Sequence, residues 1–104
     1  MNRFLLFVFR PNVPIRDVEE TLHLAMFAVE GLAGRTRVRQ DTFYFLDQIG
    51  RAVLIYEGNF VGWLVARVFA ALISREFGDG ACQVLVSRDP QIPSSARQAE
   101  EVTT

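Results

Sequence analysis

Residues 58–78 read GNFVGWLVARVFAALISREFG, and the rest of the chain is organised around them. The stretch predicts one helix. Gly58-Asn59 follows an extended run, and the Asn59 side chain can accept a bond from the first free backbone N–H groups. Gly78 follows Phe77 where a left-handed residue usually closes a helix, and Asp79-Gly80 continues the turn. No proline lies between these caps. At about 100° per residue, Val61, Leu64, Val65, Val68 and Leu72 share one face. Phe69, Ile73 and Phe77 fall beside it, interleaved with Gly62, Ala66 and Ala70, and Trp63 comes next. Arg67 and Ser74 leave only a narrow polar stripe. The apolar arc is roughly 280° wide, against about 100° for an ordinary surface helix. One sheet covers one face, so this helix predicts a second cover. Trp63, Ala66, Phe69, Ala70, Ile73 and Phe77 are the candidate interface residues. Small residues four apart (Gly62, Ala66, Ala70) let another backbone come close. A neighbouring helix of the same chain or a helix of another subunit would each satisfy that spacing. A membrane span is not expected, because the apolar run is about 14 residues and holds Arg67, against roughly 20 needed.

The 104 residues suit one domain. Half are hydrophobic, enough for a core without staples. The formal net charge is −1, which argues against a general binder of nucleic acid or anionic membrane. All 11 basic residues are arginine, so Schiff-base lysines and the phosphate-gripping lysine of a P-loop are excluded. A single cysteine, Cys82, excludes an intrachain disulfide and a cysteine-built metal cluster. The opening MNRFLLFVFRP has an apolar run shorter than a secretory signal needs, and Pro11 follows without a small-residue cleavage site. A cytoplasmic location is expected.

Outward from the helix, the other elements fall into a simple order. Arg3 to Arg10, RFLLFVFR, is an unbroken apolar run of strand length, of the kind buried on both faces. Pro11 and Pro14 forbid its continuation. A first helix is predicted from about Pro14 to Ala33, with Ile15, Val18, Leu22, Ala25, Met26, Val29 and Leu32 on its core face. Arg16, Glu19, Glu20, His23 and Glu30 lie opposite, with Leu24 and Phe27 on or beside that polar side, and Gly34 ends the helix. Arg35 to Leu46, RTRVRQDTFYFL, alternates and then turns aromatic, which predicts a second strand. Asp47 to Gly50 reads as a hairpin loop, Arg51 to Glu57 as a central strand, and Cys82 to Ser87 as the last strand. From Arg88 the composition turns to proline and small polar residues. The expected organisation is one domain over residues 1–88 and a flexible or loosely docked tail over 89–104.

The order β-α-β-β-α-β, with right-handed crossovers, leads to the ferredoxin-like plait. This is an α+β fold with an antiparallel sheet ordered 4-1-3-2 and two helices on one face. The central strands of that order are the first and third, which are also the most apolar. The other sheet face is left open. Phe4, Leu6 and Val8 alternate with Leu5, Phe7 and Phe9, so whichever set packs under the helices, the other forms an exposed apolar patch of a kind that marks interfaces. Homo-oligomerisation, most simply a two-fold dimer, would cover it. A tail folded back over it would do so within a monomer.

Chemistry-bearing residues are few. His23 sits on the polar helix face with no serine or cysteine at a triad spacing, which reads first as a solvated histidine and second as a general base. Arg35, Arg37 and Arg39, at period two on an expected edge strand, would either grip an anion or protect the edge from aggregation. No acidic cluster has metal-ligand spacing, and no cofactor motif is present. RNA-recognition domains share the plait, but their third strand carries glycine and alternating aromatics. Here it reads Arg51-Ala-Val-Leu-Ile-Tyr56-Glu57, so nucleic acid is not an expected partner. Plaits also serve as regulatory ligand-binding modules, cofactor-independent dimeric-barrel enzymes and assembly domains, and fold does not choose among them. The excess apolar surface and poor catalytic inventory favour a homo-oligomeric, non-enzymatic interaction or regulatory domain. The alternative is a small-molecule binder or cofactor-independent enzyme, with a pocket between the sheet face and its cover and His23, Arg37, Arg39, Tyr44 and Tyr56 as its polar groups.

Overall fold

The structure is a computed structural model and describes residues 3–87. The tail expected over 89–104 lies outside the described residues. The elements are β1 (Phe4–Phe9), α1 (Ile15–Ala33), α2 (Arg35–Asp41), β2 (Tyr44–Asp47), β3 (Ala52–Tyr56), α3 (Phe60–Phe77) and β4 (Cys82–Ser87). All strand pairs are antiparallel, and the order β2-β3-β1-β4 is the expected one read from its other end. Among the described residues the fold is α+β, with three helices and one four-stranded sheet.

The two long helices form where their caps and stripes predict. In α3, Asn59 Oδ1 accepts from the Gly62 N–H at 2.7 Å, and Gly78 closes the helix at φ +94°, a conformation that strains any residue with a Cβ. In α1, Val18, Leu22, Ala25 and Val29 are buried at a spacing of three to four residues. Thr21 is buried beside them and its hydroxyl donates to the Asp17 carbonyl at 2.9 Å, which satisfies it. Leu32, expected on this core face, is 76% exposed. Its neighbour Ala33 packs against the core instead, so periodicity alone overextended the stripe.

The largest correction concerns residues 35–41. RTRVRQD forms helix α2 and not the first half of a strand, and β2 shrinks to four residues. Gly34, at φ +91°, ends α1 and starts α2. As a strand this segment would put Val38 on a face with Thr36 and Gln40, with nothing apolar to share the burial. As a helix it drives Val38 alone into the core, where it is fully buried, and turns its arginines outward. Arg37 then pairs with Asp41 one turn on, at 3.6 Å.

The main core lies between the sheet and the helices. Phe7, Phe9, Val53 and Ile55 meet Val18, Leu22, Val61, Val65, Phe69 and Ile73. Phe69 stands edge-on to Phe7 with centroids 4.9 Å apart, the arrangement ring quadrupoles prefer. Gly62 lets α3 descend onto β3, since a Cβ there would lie 2.1 Å from the Tyr56 carbonyl oxygen. The close approach foreseen from Gly62, Ala66 and Ala70 is, at Gly62, to a strand backbone and not to a helix.

Candidate functional site

Registry decides which side of each strand faces the helices. Phe4 pairs with Tyr56, Leu6 with Leu54 and Val8 with Ala52 across β1 and β3. Phe45 lies opposite Leu54 from β2, and Leu85 opposite Leu6 from β4. Directly opposed residues share a face, so these side chains form one surface. Leu6, Ala52 and Leu54 make a second cluster with Phe4 and Val8 against them, and no helix residue joins it among the described residues. This is the open face. At its centre Leu6 is 3% and Leu54 5% exposed, while Phe45 (51%) and Leu85 (41%) stand out of it.

Aromatic rings collect at one end. Phe4 and Tyr56 lie 5.2 Å apart between centroids, and Phe43 meets Tyr56 edge-on at 6.0 Å. Polar groups occupy the rim. Asp47 accepts from the Gly50 N–H at 3.0 Å, Gln83 and Ser87 flank Leu85 on β4, and Arg3 pairs with Glu57 at the far end. An apolar centre with a polar rim is the anatomy of a protein–protein interface. In projection four strands about 4.8 Å apart and five residues long cover roughly 300 Å². A standard interface takes about 800 Å² per partner, so an interface built here must run past the rim.

The helix-side candidates fare differently. Ala66, Phe69 and Ile73, expected at an interface, lie in the chain's own core at 1%, 0% and 2% exposure. They have no surface to offer a partner. The second cover that α3 demanded is supplied by α1 and α2, both of which pack on it. Ala70 and Phe77 are half-buried against the same core. Of the six, Trp63 reaches the surface, stacked on Phe60 at 6.2 Å with the Arg67 guanidinium 5.1 Å from its ring centroid. That cation lies within the range for attraction to an indole face.

The five polar candidates do not assemble into one site. Tyr44 Oη lies 3.5 Å from His23 Nε2, and the rings meet edge-on. An open hollow of about 530 Å³ beside them is lined by Glu20, His23, Leu24 and Phe27 of α1. Tyr44 pairs with Ile55 on the helix side, whereas Tyr56 belongs to the open face. Arg37 and Arg39 sit on α2, about 200° apart around its axis, so the row of guanidinium groups expected on an edge strand does not exist. Among the described residues no group of three or more His, Cys, Asp or Glu is placed to hold a metal, and no helix is long and apolar enough to cross a membrane. Burial pushes the Cys82 thiol above its ordinary pKa, away from the thiolate a nucleophile needs.

Phe45 and Leu85 were absent from the sequence-derived candidates. The alternation of the strands carried them, but only the pairing register shows that they share a face with Leu6 and Leu54. Comparison with protein-family models, with curated proteins and with solved structures gives no match.

Proposed function

We propose that residues 1–88 form a ferredoxin-like plait with an added helix, working as a cytoplasmic, non-enzymatic interaction domain that assembles with copies of itself through the open sheet face. The observation that carries this reading is the apolar cluster on that face, centred on Leu6 and Leu54 and without a helix against it among the described residues. The side chains that would serve the alternative, a ligand pocket over the sheet, are spread over two sheet faces, α1 and α2.

Sedimentation or light scattering over a dilution series at micromolar concentration tests the proposal. The wild-type chain is expected to weigh more than one copy. Phe45→Glu, which puts a charge on the face at an exposed position, lowers that mass while the circular dichroism spectrum holds. A wild-type monomer throughout the series, or an unchanged mass in Phe45→Glu, overturns it.

A further inference from the structure

We infer that β4 is a second docking site, separate from the open face, and that its occupant is β4 of a second copy paired antiparallel about a two-fold axis. Among the described residues β4 is the end strand of the sheet and bonds to β1 alone, in a continuous register from Phe4↔Ser87 to Phe9↔Cys82. The Arg10 N–H donates to the Ala81 carbonyl at 3.1 Å. Bonded residues alternate along an antiparallel ladder, so Ala81, Gln83 and Leu85 turn their backbone groups to β1. Cys82, Val84 and Val86 turn theirs outward. Those groups are a template for another strand.

Natural edges are usually blunted by charge, proline, bulges or shortness. Cys82–Ser87, CQVLVS, is six residues long with no charge, proline or glycine, and its register is unbroken. The opposite edge differs. β2 is four residues long and ends in Asp47, and its outward-facing Tyr44 is engaged with His23. The middle four side chains of β4, Gln83 to Val86, are exposed. Val84 (47%) and Val86 (54%) stand out on the helix side and Leu85 (41%) on the open side. A strand added at this edge covers the flanks of all three at once.

The choice of a second copy follows from charge and symmetry. An uncharged strand meets itself without like-charge repulsion and offers nothing for a charged partner to select. A two-fold axis at Val84 sets Val84 against its counterpart and Cys82 against Val86, and each such pair exchanges two N–H···O bonds. It also joins two open faces into one continuous apolar surface, which lets an interface there run past the rim of a single sheet.

Amide hydrogen exchange of the full chain, read at Val84 and Val86 across a dilution series, tests this. Where nine in ten copies are paired, both amides should exchange about tenfold more slowly than after dilution to monomer. Val84→Lys should abolish the slowing with the fold intact by circular dichroism. Phe45→Glu should leave it in place, so failure of the face and failure of the edge are read separately. Rapid exchange at every concentration means an unoccupied edge and overturns the inference. Slow exchange that persists in monomers means cover by the chain itself and overturns it too.

Discussion

Strands β3 and β4 are nearly the same in chemistry and opposite in circumstance. AVLIY and CQVLVS are both uncharged and rich in β-branched residues. Yet four of the five residues of β3 are buried, while the middle four of β4 are exposed. β3 lies between β2 and β1 with α3 over it. Among the described residues β4 has one neighbour in the sheet. The difference teaches that burial belongs to a position in the sheet order and not to composition. The same kind of strand makes core in one place and exposed edge in another.

The sharpest way to break the comparison is to put one charge on each strand. Val53 and Val84 both point to the helix side, but Val53 is fully buried and Val84 about half exposed. Val53→Asp strands a carboxylate in the core and should cost about 4 kcal/mol or more, read as loss of the cooperative thermal transition. Val84→Asp should change monomer stability by no more than about 0.5 kcal/mol and act on assembly mass instead. Equal destabilisation at both sites would mean that β4 is core after all.

A smaller effect sharpens the account of why β3 is covered. Gly62→Ala would bring a Cβ against the Tyr56 carbonyl and lift α3 from the strand. The expected loss is about 1–3 kcal/mol in urea unfolding, although alanine is the better helix former by about 1 kcal/mol. A gain in stability would show that the close approach does not hold β3 down.

The smallest effect is on Cys82 at the start of β4. Its thiol pKa is raised by burial, so the folded chain favours the neutral form. Alkylation by iodoacetamide should be slower than for free cysteine at neutral pH and should keep rising with pH beyond the ordinary thiol range. The matching stability is whole below the unfolded-state pKa and is lost as pH rises through the folded one. If β4 pairs with a second copy, alkylation also slows with protein concentration.

Most of the elements were legible because their signals are local. The caps of α3, the stripe of Val18, Leu22, Ala25 and Val29, and the apolar runs of β1 and β3 each state their own structure. Segment 35–41 was not, because a lone valine among period-two arginines fits an edge strand as well as a helix. The slot that receives Val38, formed with α1 and α3, is made by residues distant in sequence. The candidate site was half legible. Alternation in β1 announced that one of two apolar sets would be left open, but not which.

The amino-acid sequence thus determined that the chain carries more apolar side chains than one sheet face and one helix stripe can hold, since periodicity and composition are properties of the chain alone. Which of them stay in contact with water was decided by tertiary structure. Helices α1 and α2 close over Phe69 and Ile73, while registry turns Phe45 and Leu85 outward with Leu6 and Leu54. Cover is a relation between elements far apart in sequence, and no single stretch of sequence contains it.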